Sequence, residues 1–323
     1  MASDLNFLVS VVVPAYNEQQ GIAQAVQTIS LVLGGTGMDW EIIVVDDGSR
    51  DNTYLAALEL CKAEPRIRVM ALSRNFGKES AMLAGLEHAG GDAVIIIDAD
   101  LQHPPDLIPQ MLEKWRQGAD IVHAVKRNRN GDSLPKRSMV YLMNKMISEL
   151  GGIDVENASD FKLLDREVVD IIVRRLPERQ RFLRGLTSWI GFSESYLYFD
   201  VEERQAGESK WSFFSLLKLS VTALTSFTTL PLQIVTLLGV LTMILGFFVA
   251  ADALFSFFNG QAVSGFATTI ICLLLIGSFI MISLGVIGAY IARIYEEVKG
   301  RPAYLVKASS GFDKRPLRRQ ATE

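Results

Sequence analysis

The sequence is poor in cysteine and histidine, and its first six residues contain no Lys or Arg. Only two of its 323 residues are cysteines, Cys61 and Cys272, and their separation along the chain argues against a disulfide framework. The three histidines lack the spacing of a zinc site. The first residues carry an acid and no basic run, so no signal peptide is expected and the N-terminal part is predicted to stay in the cytoplasm. A net charge of -4 gives no reason to expect a nucleic-acid partner.

Charged residues are also missing from most of the C-terminal third. None occurs from 219 to 251 or from 253 to 292, and Asp252 is the single interruption. A helix needs about 20 apolar residues to cross a bilayer. The composition therefore predicts two membrane spans, at 231–256 and 266–292.

Basic residues gather after the second predicted span. Residues 293–323 contain eight Lys or Arg and four Asp or Glu, whereas the link 257–265 contains no charge. This asymmetry predicts that the tail is cytoplasmic and the link lies outside, so that both termini are cytoplasmic. Small residues in the spans favour packing against partner helices, and a homo-oligomer is expected. These residues are Gly239, Gly246, Gly277, Gly285 and Gly288.

The stretch 209–229, just before the spans, has an amphipathic pattern. Phe214, Leu217 and Val221 fall along one side of a helix, and Lys210 lies at its start. The pattern predicts a helix lying on the bilayer surface. The alternative is a helix that packs in the core of the preceding domain.

Short apolar runs and helical patterns alternate through the first 125 residues. β-Branched runs predict strands at 8–13, 42–45, 67–72, 93–97 and 121–125. Helices are predicted at 18–33, 51–62 and 78–88, after Pro104 and Pro105, and up to about residue 150. Two later strands are predicted at 161–164 and 196–201. Buried strands that alternate with helices indicate an α/β fold with a mostly parallel, Rossmann-like sheet covered on both faces.

Polar residues follow each of the first four predicted strands. The segments are Pro14–Glu18, Asp46–Ser49, Asn75–Lys78 and Asp98–Gln102. Ligands of such sheets bind beyond the carboxyl ends of the strands. One acidic strand end is usually a helix cap or a turn, but four polar ends at one edge of a sheet indicate a site.

Asp98 and Asp100 form the sharpest element of this predicted site. Two carboxylates separated by one residue, with Gln102 beside them, offer oxygen ligands to a hard cation. Without a cation these acids would repel each other. We therefore expect Mg²⁺ or Mn²⁺ to bind here and to bridge to a diphosphate.

The neighbouring residues have both functional and structural interpretations. Asp46 and Asp47 could accept hydrogen bonds from a base or ribose, but Asp47 could also only form a turn before a helix. Lys78 could contact a diphosphate as a point charge, or it could be a solvated surface lysine. His103 lies beside the metal motif and is interpreted as a supporting residue rather than a ligand.

Taken together, these segments resemble family 2 glycosyltransferases. The similarity is strongest to the polyprenyl-phosphate branch, which includes bactoprenol glucosyltransferases and dolichol-phosphate mannosyltransferases. It continues through Ser159–Leu163, Arg181–Gly185, Arg204–Trp211 and the two predicted spans.

The resemblance implies a GT-A fold and an inverting transfer of a sugar from a nucleotide diphosphate-sugar to polyprenyl phosphate. It implies nucleotide contacts by Pro14, Tyr16, Glu18 and Asp46, and metal binding by Asp98, Asp100 and Gln102. It also implies that Arg127, Arg204 and Lys210 face the phosphates of donor or acceptor. UDP-glucose is the expected donor, and GDP-mannose is the alternative.

Asp160, in Ser-Asp-Phe-Lys, stands where a base or an acid that positions the acceptor would be wanted. A phosphate monoester has a second pKa of about 6 and is mostly ionised at neutral pH, so it needs little help from a base. The choice between a base and an orienting group stays open, as does a purely structural salt bridge.

The resulting organisation has four parts. They are a cytoplasmic GT-A domain at 1–208, a surface helix at 209–229, two transmembrane helices at 230–293 and a basic cytoplasmic tail at 294–323. A processive polysaccharide synthase is disfavoured, because its Gln-x-x-Arg-Trp motif is missing and two spans are too few for a conduit. A catalytically idle scaffold is disfavoured because all the strand-end acids are present.

Overall fold

The computed structural model describes residues 7–127, 159–176, 178, 181–199, 230–259 and 265–312. These residues form two compact units. The first contains the described residues up to 199 together with 302–312, and the second contains those from 230 to 301. Several predicted features lie outside the described residues, namely the helix ending near 150, the surface helix 209–229, Arg204 and Lys210.

The first unit is built on a sheet of eight strands in the order β7-β5-β6-β4-β1-β2-β3-β8. The strands are β1 Leu8–Ala15, β2 Asp39–Asp46, β3 Ile67–Leu72, β4 Ala93–Ile96, β5 Ile121–Lys126, β6 Lys162–Asp165, β7 Glu194–Phe199 and β8 Val306–Ser310. Strand β1 pairs in parallel with β2 and β4, β2 with β3, and β5 with β7. The pairs of β3 with β8 and of β6 with β4 and β5 are antiparallel. The predicted mixed, mostly parallel sheet is therefore confirmed.

Helices cover the sheet of this unit. They are α1 Ile22–Gly34, α2 Thr53–Ala63, α3 Lys78–His88, α4 Ile108–Arg116, α5 Arg166–Arg174 and α6 Leu183–Ile190. The apolar sides of α1 and α4 join the main core with alternate residues of the central strands. Helix α3 lies so close to β1 that a Cβ atom on Gly85 would come within 2.2 Å of Val12 Cγ1. This arrangement leaves the carboxyl ends of β1 to β4 together at one edge, where the polar segments begin.

The first helix begins at Ile22 rather than at the predicted residue 18. Asn17 takes a left-handed φ of 55°, and the backbone N–H groups of Gly21 and Ile22 both donate to the Glu18 carbonyl. The chain therefore turns before the helix starts, and this turn keeps Glu18 at the edge of the sheet.

Strand β8 was not predicted, and it lies within the segment expected to be a basic tail. It pairs with the outer edge of β3, and the N–H of Ser73 donates to the Leu305 carbonyl over 2.8 Å. An edge strand has unpaired backbone groups that can accept another strand. The five residues of β8, Val-Lys-Ala-Ser-Ser, carry little apolar signal, so periodicity alone could not reveal the pairing.

The second unit contains two long helices, α7 Leu230–Phe258 and α8 Phe266–Val298. Within them, Leu232–Ser256 and Cys272–Val298 have mean hydropathies of 2.5 and 2.4 and are long enough to cross a bilayer. Their large apolar side chains are exposed, as at Phe247 and Met281. Exposed apolar surface of this extent indicates association with a membrane.

Candidate active site

A cleft of about 410 Å³ opens at the carboxyl edge of the sheet. Seven of the predicted site residues line it, namely Pro14, Tyr16, Glu18, Asp47, Lys78, Asp98 and Asp100. They come from the ends of three strands and from the start of α3, where Gly77 adopts a φ of 99°. The parallel topology thus gathers residues that are up to 86 positions apart in the sequence, from Pro14 to Asp100.

Asp98, Asp100 and His103 form a cluster that could hold a metal ion. One potential ligand atom from each lies within 4.8 Å of the others. Gln102, a predicted ligand, contributes a backbone N–H that donates to Asp100 Oδ1 over 3.0 Å. Leu101, between them, has a φ of 54°, a costly conformation for a bulky residue that is often found at functional sites.

His103 fits a cation better than its sequence context suggested. Its Nδ1 atom is buried and has no hydrogen-bond partner among the described residues. Burial lowers the pKa of His103, and the nearby Lys126 lowers it further, which favours the neutral imidazole that a metal ion requires. Two carboxylates and a neutral imidazole suit Mn²⁺, and the carboxylates suit Mg²⁺.

Glu18 adds a third carboxylate near this cluster. Burial raises its pKa, and the negative charges of Asp100, Asp51 and Asp98 raise it further. Such crowding of acids would be relieved by a bound cation. The negative charge of these carboxylates therefore favours the binding of a cation at this site.

Lys78 and Arg184 hold Asp160 from two sides. Lys78 Nζ lies 2.8 Å from Asp160 Oδ2 and 2.6 Å from Asp98 Oδ1. Arg184 donates from Nε to Asp160 Oδ1 over 2.6 Å and from Nη2 to Oδ2 over 2.7 Å, a bidentate pair. Lys78 is therefore ion-paired to two acids at the cleft, while its side chain stays 40% exposed.

These cations fix the charge of Asp160. Burial by itself would raise the pKa of Asp160, but the hydrogen bonds and charge of Arg184, together with the charge of Lys78, hold it well below its usual range. The carboxylate is thus ionised at all physiological pH values. A carboxylate with so low a pKa is a weak base.

Asp46 and Asp47 both make hydrogen bonds with loop backbone. Asp46 Oδ1 accepts from the N–H of Ser49 over 3.2 Å. Asp47 accepts from Phe76 N–H over 2.7 Å and from Gly77 N–H over 2.9 Å. Asp47 therefore ties the end of β2 to the loop that leads into Lys78, which is a structural role that the turn alternative did not describe.

Arg127 is the remaining predicted residue that the structure describes. It follows β5, and its backbone N–H donates to the Phe199 carbonyl over 2.9 Å. Arg184 was absent from the predicted site residues. Its motif, Arg181–Gly185, carries part of the family resemblance, but no local pattern in the sequence shows that the start of α6 returns to Asp160.

The mixed, mostly parallel sheet with an acidic cleft at its carboxyl edge is the architecture of a GT-A glycosyltransferase domain, in agreement with the family match. The chain belongs to glycosyl transferase family 2, whose sequence pattern matches residues 10–172.

Similar proteins match over almost the whole chain. An uncharacterized glycosyltransferase of Synechocystis sp. is 40% identical and covers 95% of this chain and 97% of its own. A prophage-derived bactoprenol glucosyl transferase of Shigella flexneri is 38% identical over 93% of this chain and 98% of its own. A mannosyl-3-phosphoglycerate synthase structure from Rubrobacter xylanophilus is 23% identical, with a TM-score of 0.48, over 69% of this chain and 74% of its own.

Proposed function

We propose that this protein transfers glucose from UDP-glucose to polyprenyl phosphate at the cytoplasmic face of the membrane, with inversion at the sugar carbon. The observation that carries the proposal is the acidic cluster of Asp98 and Asp100 beside the Lys78–Asp160–Arg184 ion pairs. The similarity to a bactoprenol glucosyl transferase over 93% of the chain supports the lipid acceptor. The two apolar helices support a membrane location.

The donor is assigned to the cleft at the ends of β1 and β2. Pro14, Tyr16, Glu18 and Asp46 would hold the nucleotide, and Asp47 would keep the adjoining loop in place. Asp98, Asp100 and His103 would hold Mg²⁺ or Mn²⁺, which when bound neutralises the charge of the leaving diphosphate. Gln102 remains a predicted additional ligand. Lys78, at the start of α3, supplies a protein cation beside the same carboxylates.

The acceptor phosphate is already an anion at neutral pH, because its second pKa is about 6. Its reaction requires positioning of two anions against each other more than removal of a proton. Asp160 suits this task because it fixes the directions of Lys78 and Arg184. We assign Asp160 to positioning and electrostatics rather than to general base catalysis.

Further cations are assigned to the acceptor on sequence grounds. Arg204 and Lys210 precede the predicted surface helix 209–229, where a lipid phosphate would arrive, and Arg127 follows β5. The proposal also includes the predicted boundaries of the four parts, the cytoplasmic location of both termini and a homo-oligomeric assembly.

Release of nucleotide that depends on polyprenyl phosphate tests the proposal. Purified full-length protein with UDP-glucose and Mg²⁺ or Mn²⁺ should release UDP only when polyprenyl phosphate is added. Asp100→Ala should abolish this release while the thermal unfolding midpoint stays close to that of the wild type. UDP release by Asp100→Ala at the wild-type rate would contradict the metal assignment. Release of GDP from GDP-mannose, with no release of UDP from UDP-glucose, would identify GDP-mannose as the donor instead.

A further inference from the structure

Lys162 is a buried cation that the proposed reaction does not use. It lies on β6, two residues after Asp160, and its side chain is 1% exposed. A buried ammonium group is costly unless charges or hydrogen bonds compensate it. Such a residue inside a catalytic domain needs an explanation.

One partner of Lys162 lies on α6. Lys162 Nζ donates to Thr187 Oγ1 over 3.3 Å. The Thr187 hydroxyl donates to the Leu183 carbonyl over 3.0 Å, so its oxygen is free to accept from the ammonium. Lys162 thereby links strand β6 to helix α6.

Three acidic groups, on α3, on β7 and just before β6, favour the charged form of Lys162. Burial lowers its pKa to about 8, while the charges of Asp160, Glu79 and Glu194 oppose this shift and that of Arg184 adds to it. Burial lowers the pKa of His123 on the neighbouring strand β5, and the positive charge of Lys162 lowers it further. At neutral pH Lys162 is therefore mostly cationic and attracts the carboxylates around it.

The helix that Lys162 holds is the one that carries Arg184. Thr187 lies three residues after Arg184, about one helical turn, so a contact that holds the helix at Thr187 also holds the backbone from which Arg184 projects. The first turn of α6 is also held from α3, because Leu183 N–H donates to Glu79 Oε2 over 3.1 Å. Glu79 thus holds α6 at Leu183 and Lys162 holds it one turn later at Thr187, on either side of Arg184 in the sequence.

We infer that Lys162 is a positioning residue that holds α6 so that Arg184 stays on Asp160. It acts through the ion pair and does not touch the substrates. The inference rests on the proposed function for its kinetic readout, and it predicts that the effect of Lys162 depends on the presence of Arg184.

A double-mutant cycle in the full-length protein tests this dependence. Lys162→Met replaces the ammonium by an uncharged chain of similar length. We expect kcat for transfer to polyprenyl phosphate to fall about tenfold while KM for the nucleotide-sugar stays within about twofold. In an Arg184→Gln background, Lys162→Met should cause little further loss. A wild-type kcat for Lys162→Met, or losses that multiply in the double variant, would overturn the inference.

Two variants of Thr187 keep the test informative if Lys162→Met does not fold. Thr187→Val removes the hydroxyl that accepts from Lys162, whereas Thr187→Ser retains it. Thr187→Val should lower kcat and lose its effect in the Arg184→Gln background, and Thr187→Ser should match the wild type. Equal, wild-type kcat values for both would contradict a positioning role.

Failure of the proposed function can be told apart from failure of this inference. If the wild type forms no lipid-linked sugar, the proposed function fails, and the same cycle is then measured in unfolding free energies. Coupling between positions 162 and 184 would still support the positioning role. Additive unfolding free energies would overturn it.

Discussion

At the scale of residues, the proposed chemistry depends on how Asp160 is held. Its two oxygens accept from Arg184, and Lys78 lies 2.8 Å from one of them. Each cation can face an anionic substrate only if its direction is fixed, and Asp160 fixes both. Asp160, for which the sequence leaves open a base, an orienting acid or a structural salt bridge, is ion-paired with two cations in the structure.

Replacing Asp160 tests this role. Asp160→Asn keeps the shape but removes the charge that directs the two cations, so we expect transfer to fall about 100-fold or more, as for loss of one electrostatic stabiliser. Nucleotide affinity, measured by calorimetry, should change little. Asp165→Asn is the matched control on the adjoining strand β6, because Asp165 bonds Glu167 N–H and Trp115 Nε1 instead. Wild-type transfer by Asp160→Asn would contradict the assignment.

His123 makes the stability of the domain depend on pH. Its side chain is 1% exposed, and burial, followed by the charge of Lys162, lowers its pKa to about 3 even though Glu194 lies 3.6 Å away. An unfolded histidine takes up a proton near pH 6.5, so below about that pH the unfolded state binds more protons than the folded state. The contribution of His123 is therefore complete above about pH 6.5 and is lost as the pH falls towards 3.

The expected slope from this one group is at most about 1.4 kcal/mol of unfolding free energy per pH unit. Urea unfolding of the wild type and of His123→Phe between pH 7 and pH 4 measures it. The wild type should lose stability more steeply than the variant on acidification. Parallel pH profiles for the two proteins would show that His123 is not the source.

The acids of the site were predictable from the sequence, because parallel strands place their carboxyl ends at one edge. Asp98 and Asp100 meet Glu18 there, as the strand assignments required. The partnership of Asp160 with Arg184 could not be predicted in the same way. Arg184 reaches the site through the start of α6, and no periodicity in the sequence specifies which helix returns to which strand.

At the scale of elements, the loop after β2 is locked against the loop after β3. Gly48 has a φ of 65°, and a Cβ atom there would lie 2.3 Å from the carbonyl carbon of Arg74. Asp47 bonds the same neighbouring loop through Phe76 and Gly77. The side of the cleft that we propose for the donor is therefore one packed unit made of two loops.

Gly48→Ala should disturb this unit. Gly37→Ala is a matched control, because Gly37 has a φ of 69° but, among the described residues, nothing lies within 4 Å of the position that a Cβ atom would take. The control should cost about 1–2 kcal/mol of unfolding free energy, from the left-handed conformation alone. Gly48→Ala should cost more and should also weaken UDP binding in calorimetry. Equal effects of the two substitutions would show that the close packing at Gly48 is unimportant.

Most strands of the first 125 residues were predictable because they are nearly continuous apolar runs, and the helices between them were predictable from their spacing between these runs. The strand at the β3 edge of the sheet was less predictable. Strand β8 has few apolar residues, and its partner β3 lies more than 230 positions earlier in the chain, from Leu72 to Val306. Helix α1 begins at Ile22 and not at the predicted residue 18, because the backbone conformation at Asn17, rather than the spacing of apolar side chains, decides where that helix begins.

At the scale of the whole molecule, the chain combines a GT-A domain with two helices that are apolar enough to cross a bilayer. This combination was predictable from composition, because uncharged stretches of such length have no place in a soluble domain. A soluble nucleotide-sugar and a lipid acceptor can meet only where such a domain stands at a membrane surface. The composition of the chain thus agrees with the proposed pair of substrates.

The most direct measurement is the identity of the lipid product. Membranes containing the wild-type protein would be incubated with polyprenyl phosphate, Mg²⁺ or Mn²⁺, and a panel of labelled nucleotide-sugars, and the lipids would then be extracted. We predict labelled glucose in the lipid fraction from UDP-glucose, and none with Asp100→Ala. Label that stays entirely in the aqueous phase with every nucleotide-sugar would contradict the proposed transfer.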